Sequence, residues 1–375
     1  METVKILHCA DLHIGAAAGV PAEKGQIRRA EALLTFENII KTAEDNGVKL
    51  VLIAGDLLCS NQVEFKTVSR ILECIAAVPD IKVVFAAGNH DPLNSESPFT
   101  ALKLPANFHI LPATDSVIYF EDINTRVYGR SFSEVYMQGE KRFSLAAESG
   151  SINVMCQHGE VRSDISSDYN SITPEFIDNC GMDYIALGHI HKRSEIMRRG
   201  DTFFAYSGCA EGLGFDELGD KGVYIGEVGK AVCNLSFKKT SIRTYEKINV
   251  DVTGCENAPA AAERILSAIS EKYGEGFADN LYKIILTGGV ADGCCFDTAE
   301  IAARIMQTVF FAKVSDKTEV AVAFDVLRNE NSLKGIFVDK MLSLIENEPD
   351  NADMLRAALS LGLKAFSSEV GYSED

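Results

Sequence analysis

Short apolar runs alternate with helix-like patterns over the first part of the chain. The runs Val4–Cys9, Lys49–Ala54 and Lys82–Ala87 are rich in Val, Ile and Leu, which is typical of strands that are buried on both faces. Between them, Arg29–Asn46 and Phe65–Val78 carry apolar residues at helical spacing. This β-α-β-α-β order predicts an α/β fold in which helices cover a largely parallel sheet.

Beyond about residue 107 the pattern changes to closely spaced strands, several of them separated by Gly, Asp and Asn turns. The predicted strands are Phe108–Leu111, Ser116–Phe120, Thr125–Tyr128, Ile152–Gln157, Tyr184–Leu187, Phe203–Ser207, Gly222–Val228 and Val232–Lys238. We therefore expect a second sheet that packs on the first, with helices outside.

The pattern changes again near residue 245, where a small α+β unit is predicted. Its expected strands are Tyr245–Val252, Leu281–Thr287 and Val320–Phe324, and its expected helices are Ala258–Tyr273 and Thr298–Thr308, followed by the two helices Leu333–Glu346 and Asp353–Phe366. The predicted organisation is a main domain over residues 1–244, an α+β domain over residues 245–330 and C-terminal helices over residues 331–375.

Composition narrows the class of protein only a little. An apolar fraction of 46% in 375 residues is ordinary for a globular protein. The first residues do not look like a secretory leader, and no apolar run approaches the roughly 20 residues that a membrane span needs. The ten cysteines are scattered without a C-x-x-C pair. These features predict a cytoplasmic protein that does not use a membrane.

Five short polar motifs follow predicted strands. They are Asp11-Leu12-His13, Gly55-Asp56, Gly88-Asn89-His90-Asp91, His158-Gly159 and Gly188-His189-Ile190-His191. Carboxylates, an amide and neutral imidazoles that converge from separate strands suit Mn²⁺, Fe²⁺ or Zn²⁺ better than Ca²⁺ or Mg²⁺. Two such ions about 3.5–4 Å apart would form a clamp for in-line attack of hydroxide on a phosphate ester. Together the motifs predict a two-metal phosphoesterase site.

Each motif alone also has a purely structural interpretation. Asp11 and His13 stand at i and i+2, which would place both side chains on one side of an extended segment, but such tripeptides are common. A lone Asp56 after a strand is more often a cap or turn residue. His158 alone would usually be structural, and Gly88–Asp91 alone could be an ordinary turn. The metal-site interpretation therefore depends on the joint occurrence of all five motifs.

In this order the motifs resemble those of the calcineurin-like metallophosphoesterases over roughly residues 4–210. The resemblance implies a two-sheet α-β-β-α sandwich. It also implies one metal site formed by Asp11, His13, Asp56 and His191. It implies a second site formed by Asp56, Asn89, His158 and His189, with Asp56 bridging.

The same resemblance implies a mechanism. Metal-bound hydroxide would attack the phosphate, and both ions, with Mn²⁺ the expected metal, would stabilise the developing charge. His90 would be the catalytic histidine beside the scissile phosphate. Asp91 is expected to orient the imidazole of His90, as carboxylates near metal sites often do.

A narrower resemblance is to the SbcD-type DNA repair nucleases, and especially to the YhaO-type bacterial exonucleases. The segments that carry it are Ile6–Gly15, Val127–Phe132, Gly188–His191, Tyr206–Gly208 and Gly212–Val228. It implies that DNA is the substrate and that residues 245–330 form a capping domain that presents DNA. It also implies that the terminal helices dock on an SbcC-like coiled-coil ATPase, and it suggests a homodimer.

The charge of the chain leaves other functions open. The net charge is −18, and residues 245–375 hold 12 Lys and Arg against 22 Asp and Glu, a net of −10. A surface that presents DNA should instead contact phosphates with basic groups. One alternative is a phosphodiesterase or phosphatase that acts on nucleotides or another small ester. A second alternative is a non-catalytic scaffold that has kept the fold. A DNA exonuclease remains the favoured interpretation.

Overall fold

The computed structural model describes residues 2–17, 19–137, 143–163, 167–291, 295–320 and 327–366. Their contacts group the chain into two units: residues 1–247, 278–283 and 309–311 form the first, and residues 248–277, 284–308 and 312–375 form the second. This grouping into two units does not test the division into three parts that the sequence predicts, which stays a prediction. In the described part of the chain, no helix is long and apolar enough to cross a membrane.

The first sheet is built around the strand Thr3–Cys9. In spatial order its strands are Val232–Lys239, Gly222–Gly229, Thr3–Cys9, Leu50–Ile53, Lys82–Phe85 and Phe108–Ile110. The last four run parallel, whereas the first two join antiparallel. Cys9 lies opposite Ile53, and Ile53 lies opposite Phe85. Three strands therefore end level with one another, and the first three motifs follow those ends.

Six strands of the described residues form the second sheet. In spatial order they are Met197–Arg199, Thr202–Tyr206, Tyr184–Gly188, Ile152–His158, Thr125–Arg130 and Ser116–Phe120. The four central strands run parallel, and the two outer strands pair antiparallel with their neighbours. Gly188 lies opposite His158. The last two motifs therefore meet at one edge of this sheet.

Side chains alternate between the two faces of each strand and form three apolar layers. One lies between the first sheet and its helices, one between the two sheets, and one on the outer face of the second sheet. The helices of the first unit are Ala22–Asp45, Phe65–Ala76, Pro98–Ala101 and Pro174–Asn179. Leu7 faces the two long helices, whereas its neighbour Ile6 faces the second sheet and packs with Val154. Ile185 faces outward and packs with the helix that contains Ile177. This arrangement confirms the predicted α-β-β-α sandwich.

The helix Ala22–Asp45 has a buried polar face that its apolar spacing did not predict. The apolar Leu34 is 46% exposed, while Arg28 and Glu31 are buried. Arg28 forms ion pairs of 2.6 Å with Glu31 and with Glu211. Buried charges are tolerated when they are paired, so this face depends on a partner far away in the sequence.

The chain beyond residue 245 contains the predicted α+β elements. Leu281–Thr287 is the central strand between Tyr245–Asp251 and Phe311–Asp316, and the last of these was not predicted from the sequence. In the described residues its longer helices are Ala258–Tyr273, Thr298–Ile305, Leu333–Asn347 and Ala352–Phe366. The last two helices pack on each other around Val338 and Leu359. Residues 321–324 of the predicted strand Val320–Phe324 and residues 367–375 of the predicted C-terminal segment lie outside the described residues.

Candidate metal centre

The five motifs lie together where the strands of the two sheets end. The loop after Thr3–Cys9 is bound to the loop after the next strand, because the Asp11 and His13 amides donate to the carbonyls of Gly55 (3.1 Å) and Asp56 (2.9 Å). Gly188 at the end of its strand permits close approach of the two sheets, since a Cβ there would overlap the Ala54 carbonyl. The register of the strands and these contacts bring all five motifs to one place.

Four predicted ligands have a left-handed backbone conformation. The φ angles are 50° at Asp11, 44° at His13, 50° at Asp56 and 95° at His189. For residues other than glycine this conformation costs about 1–3 kcal/mol, and such strain is typical of functional sites. The expectation that Asp11 and His13 share one side of an extended segment was wrong. The chain turns at both residues, and the turns aim the side chains at the site.

The Asp56 carboxylate stands between two groups of side chains. Its Oδ2 is 3.8 Å from His13 Nε2 and 3.4 Å from His158 Nε2. Its Oδ1 accepts the His90 backbone N–H at 2.9 Å. Position 88 requires glycine, because a Cβ there would overlap Asp56 Oδ1. A single carboxylate is thus placed to serve both groups.

The first group consists of His158, Asn89 and His189. His158 Nε2 and His189 Nδ1 lie 3.0 and 3.3 Å from Asn89 Oδ1. The other nitrogen of each ring already has a partner, because His158 Nδ1 donates to the Ala54 carbonyl at 2.9 Å and His189 Nε2 donates to Glu160 at 3.3 Å. In the neutral rings, the nitrogens that face Asn89 therefore carry lone pairs.

The second group consists of Asp11, His13 and His191. The two Nε2 atoms of His13 and His191 face each other at 3.0 Å, and His191 Nδ1 donates to Glu217. Ligand atoms of these three residues all lie within 4.8 Å of one another. Asp11 also accepts the His189 backbone N–H at 3.0 and 3.1 Å with its two oxygens. Here too, imidazole nitrogens and carboxylate oxygens lie close together around a common space.

These donor sets fit divalent cations. Protons can satisfy only some of the nitrogens and oxygens that face one another on each side of Asp56, whereas a cation can be the partner of all of them. Imidazole nitrogens with carboxylate and amide oxygens form the mixed set that Mn²⁺, Fe²⁺ and Zn²⁺ accept. The residues present therefore fit a centre of two metal ions.

Burial makes the charges of the site depend on one another. Burial raises the pKa of Asp11 to about 6 and lowers the pKa of His13 to about 4. Burial would also lower the pKa of His158, but the charge and hydrogen bond of Asp56 outweigh it and raise that pKa to about 9. Burial opposes ionisation of Asp56, yet attraction to His158 holds the pKa of this carboxyl well below its usual range. Without a positive partner, these buried carboxylates would be costly.

His90 is the exposed member of the cluster. Its ring lies edge-on to the ring of His13, with 4.7 Å between the ring centres. Its Nδ1 is 3.3 Å from the carbonyl oxygen of Cys59, and its backbone N–H contacts Asp56. The structure therefore places the predicted catalytic histidine beside the candidate ligands and open to solvent.

Asp91 does not orient His90, contrary to the expectation from the sequence. Its carboxylate is fully buried and accepts the backbone N–H groups of Gly88 at 2.8 Å and Leu58 at 2.9 Å. Burial raises the pKa of Asp91 to about 7. The motif could not reveal these partners, because they are backbone amides that the fold brings near. Asp91 instead joins the loop after the third strand to the loop that follows Asp56.

Two carboxylates of the site were missed in the sequence. Glu217 accepts from His191 Nδ1 and also accepts the Leu213 backbone N–H at 2.7 Å. Glu160 is 3.3 Å from His189 Nε2. Carboxylates in this position fix the orientation of a ligand histidine. Glu217 lies within Gly212–Val228, a segment that carries the family resemblance, but no spacing rule identifies either residue.

Comparison with known families agrees with the fold and the site. The calcineurin-like phosphoesterase family model matches residues 4–193, which is about half of the chain, and the chain belongs to this family. These metallophosphoesterases are hydrolases with a dinuclear divalent metal centre, and the candidate His and Asp groups are present. The family predicted from the motifs is therefore confirmed.

Individual relatives are similar at low identity. The chain is 25% identical over 288 residues to the Uncharacterized metallophosphoesterase YhaO of Bacillus subtilis (strain 168), covering 72% of this chain and 69% of that protein. It is 26% identical over 271 residues to the DNA double-strand break repair protein Mre11 of Aeropyrum pernix, covering 66% of this chain and 64% of that protein. The second match thus spans less than two thirds of the relative's length.

A solved structure is similar as well. Purple acid phosphatase PPD1 from yellow lupin (Lupinus luteus) seeds matches with a TM-score of 0.42 and 13% identity, over 64% of this chain and 52% of that chain.

Proposed function

We propose that this chain is a metal-dependent DNA exonuclease of the SbcD/YhaO type that acts in DNA repair. The observation that carries the proposal is the arrangement of two groups of ligand atoms on either side of the Asp56 carboxylate. Membership of the phosphoesterase family supports hydrolysis of a phosphate ester. The similarity to a protein named for DNA double-strand break repair supports DNA as the substrate.

In this proposal the site holds two divalent ions, with Mn²⁺ expected and Fe²⁺ or Zn²⁺ as the other candidates. Asp56 would bridge them. One ion would be held by Asp11, His13, Asp56 and His191, and the other by Asp56, Asn89, His158 and His189. When bound, the ions would activate water and neutralise the charge that develops on the phosphate.

The residues around the centre would position the substrate and move protons. The exposed His90 ring can donate a hydrogen bond or a proton to a phosphate or leaving oxygen. With Nδ1 at the Cys59 carbonyl, Nε2 is the ring nitrogen left for the substrate among the contacts that the structure describes. Asp91 would act only indirectly, by holding the loop that carries His90.

The proposal is tested with the full chain, Mn²⁺ and linear DNA that is labelled at one end. Both single- and double-stranded DNA are used, and Asp56→Ala is the control. Stepwise shortening of the DNA by the wild type, absent in the variant, is the expected result, and the product ladder gives the polarity. Intact DNA together with Asp56-dependent hydrolysis of bis(p-nitrophenyl) phosphate would contradict the nuclease proposal.

That last outcome would favour the second candidate, a phosphodiesterase or phosphatase for nucleotides or another small ester. The acidic character of the chain supports this candidate, because residues 245–375 carry a net charge of −10. A small ester needs only the centre itself, whereas DNA gains affinity from basic groups along its path. The scaffold alternative has no observation in its favour, since all seven predicted ligands lie together.

Partners follow from the same proposal. We infer that the chain works in the cytoplasm as a homodimer, that residues 245–330 cap the site, and that the terminal helices dock on an SbcC-like coiled-coil ATPase. Support for docking comes from Leu333 and Ile336 on the helix Leu333–Asn347, which are 73% and 53% exposed. Apolar side chains in such a row are typical of a surface that packs on another helix.

A further inference from the structure

A row of aromatic rings leads from the candidate metal centre to the surface of the first unit. The ring of His189 lies 5.2 Å from that of His158 and 4.7 Å from that of Tyr169, the latter tilted by 32°. The ring of Tyr136 lies 5.9 Å from that of Tyr169. His158 is fully buried, whereas Tyr136 is 59% exposed. Two tyrosines thus continue a row of rings that starts at a predicted metal ligand and ends in solvent.

Hydrogen bonds connect the segments that carry both tyrosines to the end of the strand Ile152–His158. Tyr169 forms a parallel bridge with Met137, and the Met137 N–H donates to the Asp168 carbonyl at 2.7 Å. The next residue, Asn170, donates from its side chain to the His158 carbonyl at 2.8 Å. The two rings are therefore held at a defined position relative to the centre, as a binding site requires.

Among the residues that the structure describes, packing does not account for the exposed ring of Tyr136. A ring that stays mostly in water gains little from apolar burial. Its neighbour Val135 is also exposed, which makes the pair a small apolar rim beside the candidate site. Aromatic rings at such rims are typical of recognition, because they offer a large rigid face at low entropic cost.

We propose that Tyr136 and Tyr169 form a stacking platform for a nucleobase of the substrate, on a nucleotide close to the scissile phosphate. The inference rests on the proposed function and narrows it. A base inside a duplex is stacked on its neighbours, so the platform selects an unpaired strand or a frayed end. Every base has an aromatic face, so stacking is tolerant of sequence, as an exonuclease requires.

The test uses Tyr136→Ala in the full chain, with Tyr136→Phe as the variant that keeps a ring. Tyr119→Ala is the matched control, because Tyr119 is a comparably exposed tyrosine whose ring packs against Arg126 instead. The substrate is an end-labelled single strand with Mn²⁺, either fully base-bearing or with tetrahydrofuran abasic residues at its terminal nucleotides. Hydrolysis of bis(p-nitrophenyl) phosphate at the wild-type kcat reports that each variant has an intact centre.

We expect Tyr136→Ala to raise KM about tenfold on the base-bearing strand, which corresponds to about 1.4 kcal/mol. The kcat should stay within about twofold, and Tyr136→Phe and Tyr119→Ala should behave like the wild type. Abasic ends should raise the KM of the wild type by a similar factor. On those ends Tyr136→Ala should add no further loss, because the two changes remove the same contact.

Two results would overturn the platform. If the wild type shortens DNA and Tyr136→Ala does so with an unchanged KM, the platform is wrong and the nuclease proposal stands. If the wild type cleaves no DNA but hydrolyses bis(p-nitrophenyl) phosphate in an Asp56-dependent manner, the proposed function and the platform are both wrong.

Discussion

At the scale of single residues, substitution of His90 should reduce turnover without reducing metal binding. Its backbone N–H is the group that contacts Asp56, and His90→Ala keeps that group. The side chain is exposed, and its removal loses the edge-on ring contact with His13 but none of the hydrogen bonds described between the predicted ligands. We expect near-normal metal content and a loss of about 10²- to 10⁴-fold in kcat, the range for proton transfer by a positioned side chain. Metal analysis of the purified protein and turnover of a small phosphodiester measure the two effects.

Asp56→Ala is the contrasting variant. Its carboxylate is near both His13 and His158, so its removal should abolish both bound metal and activity. Normal turnover in His90→Ala would remove the proposed role of that histidine. A metal content as low as that of Asp56→Ala would make His90 a structural residue instead.

Glu217 is expected to act through His191. Glu217→Gln keeps the size of the side chain and removes the charge that faces His191 Nδ1. Loss of such a partner typically weakens metal affinity about 10- to 100-fold. We therefore expect a higher Mn²⁺ concentration for half-maximal activity, with kcat largely restored at saturating Mn²⁺. The matched control is Asp216→Asn, which removes the charge of an exposed neighbour. Identical Mn²⁺ titrations for the two variants would exclude the role of Glu217.

At the scale of elements, the helix Ala22–Asp45 depends on its buried ion pairs. Arg28→Ala would leave Glu211 buried without its cation, which typically costs about 3–5 kcal/mol, whereas Glu31 keeps its ion pair of 2.8 Å with Arg243. We expect a clear drop in the urea midpoint of unfolding. Circular dichroism is the suitable probe, because the chain has no tryptophan. Arg29→Ala removes an exposed arginine of the same helix and should change the midpoint little. Equal midpoints would show that the cluster adds no stability.

Elements could be predicted from the sequence where a local pattern determines them, and could not where they depend on contacts with distant residues. Strands such as Lys82–Phe85 are apolar on both faces, and their local pattern was sufficient. The sandwich and the ligand motifs followed from these strands and from the polar residues at their ends. The buried face of Ala22–Asp45 could not be predicted, because the charge of Arg28 is paired with that of Glu211, far along the chain. Asp91 was misassigned for the same reason, since its partners are backbone amides that only the fold reveals.

The helix Leu333–Asn347 carries an apolar stripe that divides into two halves. Phe337, Met341 and Ile345 pack inside the helix pair, whereas Leu333, Ile336 and Leu344 are exposed. The inner half agrees with the ordinary interpretation of such a stripe, as packing on its own domain. The outer half is the part that is left for a partner, and it can be changed without disturbing the inner half.

We expect Ile336→Asp to weaken association with an SbcC-like ATPase at least about tenfold, because a charge would enter an apolar interface. Hydrolysis of a small phosphodiester should stay unchanged. Phe65→Asp is the matched control, since Phe65 is an exposed apolar residue of the helix Phe65–Ala76 in the first unit. Co-purification and titration of the two proteins measure the effect. Undiminished binding by Ile336→Asp, or equal loss with Phe65→Asp, would place the docking surface elsewhere.

At the scale of the whole molecule, charge works against DNA binding. The net charge is −18, and the long-range field of such a chain repels a polyanion. Binding of DNA then depends on the few basic groups and metal ions near the site. Each phosphate that is neutralised makes the affinity more sensitive to salt. The slope of log K against log salt concentration changes by about −0.9 per phosphate contact for duplex DNA and by about −0.7 for single strands.

This balance predicts that the isolated chain binds DNA weakly and in a salt-sensitive manner, and that an ATPase partner improves the binding. A site with about three phosphate contacts would lose roughly 20- to 40-fold in affinity when salt rises fourfold. Hydrolysis of a small phosphodiester should vary far less over the same series, because it needs no extended contact. Anisotropy titrations of labelled DNA with and without the partner measure the effect. Equal and salt-insensitive affinity in both cases would mean that the acidic surface is no barrier and that the partner has another task.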